Sequence, residues 1–319
     1  MDGYIKWLRE QVGSQKILLV FASICIVDEA GRLLWQQRGD FGWWGLPGGV
    51  LELDEDLATC AKREALEETG LEVAIERLVG VYSSPDYDVV YPNGDEVQQV
   101  TFCFAARPVG GELRADQAET LALRWLGPDE LPETALWYRH MAEDLFAGST
   151  EVSFRRGQPG QTRAVEPYFR WLRQYIGQAA FVAPAAAAAV FDETGRILLV
   201  KRSDNGEWSL PGGMVELGER LDQTVVNEIR EETGLLIEPE RLIGVYSSEA
   251  YWIRYPNGDE LKVVSSLFRC RVVGGQLQPD LEEVSEAGFF ALDALPAMSA
   301  RYTVRLEALL ANRPEAIIS

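Results

Sequence analysis

Three glutamates at i, i+3 and i+4, Glu64, Glu67 and Glu68, are the residues here whose type and spacing point most directly to chemistry. On a helix this spacing brings three like charges within about 6 Å on one face, which destabilises the bare helix. Either the face is solvated, or it holds a hard cation, since Mg²⁺ takes oxygen ligands. The chain repeats the trio as Glu228, Glu231 and Glu232. Each copy follows an LPGG segment (Leu46 to Gly49, Leu210 to Gly213) and precedes Thr-Gly-Leu. A merely solvated face has no need to keep its distance from a glycine-rich loop, so the repetition favours the cation site. The single histidine, His140, argues the same way by elimination. One residue cannot serve Ser-His-Asp triads, His-ligated zinc or histidine acid/base catalysis in two places. Chemistry must rest on carboxylates, Lys, Arg or a hard metal ion, and His140, past the last strand, is assigned a surface role.

The elements that must position these groups follow from local pattern. Leu57 to Thr69 reads as a helix closed by Gly70, with Ala58, Ala61 and Ala65 expected on the arc opposite the glutamates, small enough for close approach to a sheet. The apolar runs Ile17 to Val27 and Ala183 to Phe191 read as buried strands. Arg32 to Gln36 and Arg196 to Lys201 read as their hairpin partners across Asp-Glu-x-Gly turns. Further strands are expected at Glu76 to Ser83, Glu96 to Arg107 and Ala122 to Leu126, with a tight turn at Pro92-Asn93-Gly94. The outcome is an α/β fold, a mixed sheet between helices.

A shift of 164 residues aligns the 319-residue chain with itself without a gap. Tyr4, Trp7, Leu8, Arg9 and Gly13 fall on Tyr168, Trp171, Leu172, Arg173 and Gly177. GVYSS at Gly80 meets GVYSS at Gly244, and YPNGDE at Tyr91 meets YPNGDE at Tyr255. This is a duplicated domain: residues 1–150, a linker over 151–164 containing RRGQPGQ, and residues 165–319. Such a duplication can reuse the two-fold interface of a homodimer, so an internal pseudo-dimer is expected. Trp7 and Trp171 on the leading helices are expected to be packing residues. With Lys+Arg at 30 against Asp+Glu at 50 the net charge is −20, which would repel a polyanion, so nucleic acid is not an expected partner. Cys25, Cys60, Cys103 and Cys270 form no Cys-x-x-Cys pair and read as buried thiols of a reducing compartment. No run is long enough to span a bilayer; no membrane partner and a cytoplasmic location are expected.

The pattern G-x5-E-x7-R-E-U-x-E-E-x-G-U resembles the Nudix box. The chain carries it as Gly49, Glu55, Arg63, Glu64, Ala65, Glu67, Glu68, Gly70 and Leu71. The second copy has Gly213, Glu219, Glu228, Ile229, Glu231, Glu232, Gly234 and Leu235, with Asn227 in place of the Arg. The resemblance implies two tandem α/β/α sandwiches. It implies Mg²⁺ or Mn²⁺ held by Glu64, Glu67, Glu68 and the carbonyl of Gly48 or Gly49, and by Glu228, Glu231, Glu232 and Gly212 or Gly213. It gives Arg63 the task of bracing the carboxylates, which the uncharged Asn227 cannot take over. Glu286 lies where many members place an acidic base or extra ligand; its counterpart is Ala122, with the matched acids Glu119 and Glu283 nearby. Trp43, Trp44, Trp208, Tyr91 and Tyr255 are candidates for base stacking or simple packing, and Arg38 and Arg202 for phosphate contact or strand capping. The implied activity is hydrolysis of the pyrophosphate linkage of a small nucleotide, either a nucleoside diphosphate joined to another moiety or a nucleoside triphosphate. The alternative is a non-catalytic nucleotide sensor of the same fold.

Overall fold

A computed structural model describes residues 3–155, 167–255, 257–311, 313 and 315–319. The first half runs α1 (Tyr4–Val12), β1 (Ile17–Ile26), β2 (Leu33–Arg38), β3 (Trp44–Gly45), β4 (Gly48–Val50), α2 (Leu57–Thr69), β5 (Leu71–Tyr82), β6 (Val89–Val90), β7 (Glu96–Gly111), β8 (Thr120–Leu126), α3 (Leu136–Phe146) and β9 (Ser153–Phe154). The second half repeats the order as α4 (Tyr168–Ile176), β10 (Phe181–Phe191), β11 (Ile197–Arg202), β12 (Trp208–Ser209), β13 (Gly212–Met214), α5 (Leu221–Thr233), β14 (Leu235–Tyr246), β15 (Trp252–Arg254), β16 (Glu260–Gly275), β17 (Val284–Phe290), α6 (Ala300–Leu310) and β18 (Ile317–Ile318).

The mixed sheet of the first half follows the order β4-β1-β7-β5-β9, parallel at β1/β7 and antiparallel at β5/β7. Alternation along β1 divides the core, because successive side chains leave a strand on opposite faces. Ala22, Ile24 and Ile26 pack with Leu57, Cys60, Ala61 and Ala65 of α2, whereas Cys25 packs with Tyr138, Met141 and Ala142 of α3. Helices therefore cover both faces, as expected. All four cysteines are free and buried, and no helix among the described residues is long and apolar enough to cross a membrane.

Three expectations are corrected. The strand after β1 is not its full hairpin partner. β2 touches β1 only at the Val27↔Leu33 bridge and then pairs with β8, just as β11 meets β10 at Phe191↔Ile197 and runs along β17. The turn forms, but the strands then part: β2 joins β3 and β8 in a separate three-stranded sheet, and β11 runs on between β12 and β17. Next, Ala61 and Ala65 do not lie opposite the glutamates: they share the buried face of α2 with Glu64 and Glu68, since residues four apart are neighbours on a helix. Finally, the stretch read as a linker begins with strand β9, whose Ser153 and Phe154 lie parallel to Gly80 and Val81. Its counterpart β18 pairs with Gly244 and Val245 in the same way. Arg155 follows, paired with Glu143 at 2.9 Å and Asp144 at 2.7 Å, and the remainder of that stretch, residues 156–164, lies outside the described residues.

The halves meet across matched hydrogen bonds. Leu18 N donates to Tyr168 Oη at 3.0 Å, and Val182 N to Tyr4 Oη at 3.1 Å. Leu57 N donates to Ser247 Oγ and Leu221 N to Ser83 Oγ, both at 3.1 Å. Each bond maps onto the other under the 164-residue shift, the signature of a two-fold contact within one chain. Trp7 and Trp171 stack on Tyr4 and Tyr168 at this junction, centroids 6.2 and 5.6 Å apart, and are packing residues as expected.

Candidate functional site

The site of the first half is assembled where β4 meets α2. Asp56 caps α2, its side chain accepting from Thr59 N at 2.7 Å, and Gly70 closes the helix in the left-handed conformation, φ 73°. Pairing of Gly48 and Gly49 with Ser23 and Ala22 of β1 lays the glycine-rich loop against the helix. Both glycines are required. Gly48 has φ 147°, and a Cβ there would sit 2.4 Å from Ala22 O; a Cβ on Gly49 would sit 2.2 Å from Glu64 Oε1. The second copy repeats the contact between Gly213 and Glu228 at 2.4 Å.

The trio divides. Glu64 and Glu68 are buried, 8% and 4% exposed, while the Glu67 side chain is 58% exposed at the rim. Glu68 accepts from Gly48 N at 2.7 Å and from Gln36 Nε2 at 3.1 Å. Burial first, and the Glu64 charge second, push the Glu68 carboxyl up to about 8, with the Gly48 N–H opposing. Glu64 is also raised, chiefly by burial, against the pull of Arg63. Glu232 is pushed up to about 8 by burial and the neighbouring Glu228. Two adjacent carboxylates that resist ionisation together leave a local deficit of positive charge.

Arg63 ties the group together. Its Nε and Nη2 donate to the two oxygens of Glu55 at 3.0 and 2.6 Å, and its Nη1 donates to Glu64 at 2.6 Å and Glu67 at 3.0 Å. The planar fork serves three carboxylates at once. In the second half Asn227 Nδ2 donates to Glu219, the counterpart of Glu55, at 2.7 Å; one arm of the fork is kept. Arg230, which has Leu66 as its counterpart, pairs with the neighbouring Glu231 at 3.6 Å on the exposed side of α5.

Among the described residues no three His, Cys, Asp or Glu side chains close into a metal cage. The donor set still fits a hard divalent ion. Mg²⁺ is commonly held by one or two carboxylates, with waters and substrate phosphates completing its shell, and Glu64 and Glu68 offer hard oxygens beside the Gly48–Gly49 backbone. Gly49→Ala tests this arrangement. It must turn Glu64 off its position, at about 0.5–1.5 kcal/mol for an off-rotamer side chain, and is expected to weaken Mg²⁺ affinity several-fold, read by titration. Unchanged Mg²⁺ dependence would remove Glu64 from the ligand set.

Glu64, Glu68, Gly48, Gly49 and Glu119 line a cavity of about 260 Å³ together with the aromatic residues Phe41, Trp43, Tyr91, Trp137 and Tyr138. Phe41 stacks on Trp43 with centroids 4.4 Å apart and tilts against Tyr91 at 5.4 Å. Arg38 also borders the cavity, donating to both oxygens of Asp40 and to Tyr138 Oη. Trp44 lies elsewhere, beneath the Arg124 guanidinium at 4.9 Å. Trp208 packs edge-on against Phe290 at 4.9 Å, Arg202 pairs with Asp204 at 2.6 Å, and Tyr255 is exposed. Glu286 is bound to Lys201 at 2.6 Å on an exposed strand face. His140 meets Tyr87 Oη at 2.8 Å, half-buried. Phe41, Trp137 and Tyr138 escaped the sequence analysis. The two from α3 reach the cavity only through tertiary packing, and Phe41 has no aromatic counterpart, Asn205 standing there.

Comparison with known proteins gives the family. A family model for the NUDIX domain matches residues 18–145 and again 182–310. An ADP-ribose pyrophosphatase of Methanocaldococcus jannaschii is 41% identical over 123 residues, 37% of this chain and 69% of the relative. A MutT-like protein of Streptomyces ambofaciens is 43% identical over 108 residues, 34% of this chain and 63% of the relative. The crystal structure of a Streptococcus suis ADP-ribose pyrophosphatase covers 43% of this chain and 98% of its own at 32% identity, TM-score 0.35. With the family model matched over most of its length, in two copies with the box glutamates in each, the chain belongs to the NUDIX domain family.

Proposed function

We propose that the chain is a divalent-metal-dependent hydrolase of small nucleotides that breaks a pyrophosphate linkage, with the first half as the principal site. One observation supports this above others: a single cavity is lined both by two buried, mutually repelling carboxylates and by stacked aromatic rings. The carboxylates suit a metal-bound diphosphate and the rings a flat, apolar base. Mg²⁺ or Mn²⁺ would be held by Glu64 and Glu68 beside Gly48–Gly49, with Glu67 at the rim, and would neutralise the diphosphate and lower the pKa of an attacking water.

The chain's own residues then have separable tasks. Arg63 keeps Glu64 and Glu67 in place, Arg38 sits at the cavity edge as a cation for phosphate, and the aromatic rings orient the nucleoside, so that substitution at phosphorus is achieved by positioning and charge stabilisation. Glu119 brings a further carboxylate to the same cavity, whereas Glu286 in the second half is occupied by Lys201. The net negative charge supports a small nucleotide over RNA as the substrate, and the kinship with ADP-ribose pyrophosphatases supports a nucleoside diphosphate joined to a second moiety.

The second half supports a weaker reading, nucleotide binding with slow turnover. Asn227 replaces the Arg, and Asn205 and Glu207 stand where the first half has Phe41 and Trp43. The test is incubation of the full chain with ADP-ribose, nucleotide sugars, dinucleoside polyphosphates and nucleoside triphosphates, with Mg²⁺ or Mn²⁺. Release of nucleoside monophosphate or phosphate, abolished by chelation, is expected; no release from any of them overturns the proposal.

A further inference from the structure

We propose that Lys262, a residue of the second half, is a positioning residue for the site of the first. The inference rests on the functional reading above, but its geometry stands alone. Lys262 lies at the start of β16, 2% exposed, and its Nζ donates to three carbonyls of one loop in the other half: Glu52 at 3.1 Å, Leu53 at 3.0 Å, and Glu55. An ammonium has three protons and no acceptor, so three carbonyls saturate it and offset its burial. The loop it grips carries Glu55, whose carboxylate holds two nitrogens of Arg63, which in turn holds Glu64 and Glu67. Three links thus lead from the second half to the glutamates of the first: Lys262 to Glu55, Glu55 to Arg63, and Arg63 to Glu64 and Glu67.

The reciprocal position makes the point sharper. Residue 98 matches residue 262 under the 164-residue shift, and it is Gln98. Its amide receives Gly218 N at 2.7 Å and donates to Glu219 O at 2.8 Å. The loops differ in step with these residues. The first reads Leu53-Asp54-Glu55-Asp56 and the second Leu217-Gly218-Glu219-Arg220. An ammonium faces the loop with three acids, and a neutral amide faces the loop that carries an arginine. Packing alone asks for no such match of charge. Opposite charge nearby favours the charged form of a buried lysine, and the carboxylates of Glu55, Asp54 and Asp56 act on Lys262 in that sense against the burial that lowers its pKa. Ser247 adds a second hold from the same side, accepting Leu57 N at the first turn of α2. The first site is therefore completed by its fused neighbour, through a stronger clamp than it returns.

The test uses the full chain, with Lys262→Met, Lys262→Gln and Lys262→Arg made in two backgrounds. Glu231→Gln with Glu232→Gln leaves only the first site to be read; Glu67→Gln with Glu68→Gln leaves only the second. Lys262→Met is expected to lower first-site kcat about tenfold, the lower end for loss of a group that orients metal ligands, with KM moved less and second-site kcat unmoved. Lys262→Gln, which copies the arrangement at Gln98, is expected to recover part of the loss. Independently of activity, hydrogen exchange at the amides of residues 52–57 is expected to speed in Lys262→Met while that of residues 216–221 does not. Equal effects at both sites, no effect at either, or unchanged exchange at 52–57 would overturn the proposal. If Lys262→Met does not fold, Lys262→Gln and Lys262→Arg carry the same comparisons. If the unaltered chain hydrolyses nothing, the functional reading fails, and the exchange measurement still decides the role of Lys262.

Discussion

In a chain whose second site is silenced by Glu231→Gln and Glu232→Gln, Glu68→Gln is expected to lower turnover by at least about 10²-fold, roughly 2.7 kcal/mol of transition-state stabilisation. The substitution keeps the volume and one acceptor for the Gly48 N–H but removes the charge. Glu68 is buried, 4% exposed, so its charge is expensive, and a cation beside it would favour the ionised form. Mg²⁺ affinity is expected to fall together with kcat, which a titration of rate against Mg²⁺ resolves. Glu67→Gln, at the solvent-exposed rim, is expected to cost less than Glu68→Gln. A Glu68→Gln chain with full turnover at saturating Mg²⁺ would remove this carboxylate from the mechanism.

Exchange of the bracing residue between the two halves gives the second-largest effect. Arg63→Asn is expected to lower first-site turnover by about 1–3 kcal/mol, the range for hydrogen bonds to charged groups. Asn can keep the bond to Glu55, as Asn227 keeps its bond to Glu219, but it releases Glu64 and Glu67. Asn227→Arg is expected to raise second-site turnover or Mg²⁺ affinity, and here the contact between Arg230 and Glu231 matters. That exposed pair already offsets part of the charge on Glu231, although an exposed pair is worth only about 0–1 kcal/mol, so the gain in the second half is expected to be smaller than the loss in the first. Steady-state kinetics of both variants, each with the opposite site silenced, provide the comparison. If Arg63→Asn is silent while Glu64→Gln is not, the fork is not a brace.

What could be read from the residues alone follows a physical boundary. The helix Leu57–Thr69, its closing Gly70 and the glutamate spacing depend on neighbours within a few positions, and the structure has the same limits. The duplication was legible because it is a relation within the sequence itself. The partition of the trio into two buried groups and one rim group was not, because it depends on which side of α2 faces the sheet. Nor was the placement of Trp44 away from the cavity with Trp43 lining it, since Trp43 lies in the loop before β3 and Trp44 begins that strand, and nothing local says which of the two faces the site. Trp137 and Tyr138 arrive from α3, about ninety residues past the glycine-rich loop, and no local signal announces them. Lys262 and Ser247 act on the other copy, so nothing in their own surroundings marks them.

The two-fold junction has a further meaning for how such a protein can change. When two identical subunits pair, every residue at the junction is written once and must suit both places it occupies. Joining the copies in one chain fixes their mutual effective concentration, so association no longer depends on abundance, and it gives each place its own letter. Lysine can then serve one end of the junction and glutamine the other; asparagine can stand in one box while arginine remains in its twin. Covalent tandem union thus turns a symmetric contact into two separately mutable ones, through which one copy can become a support for its neighbour while the chemistry stays intact.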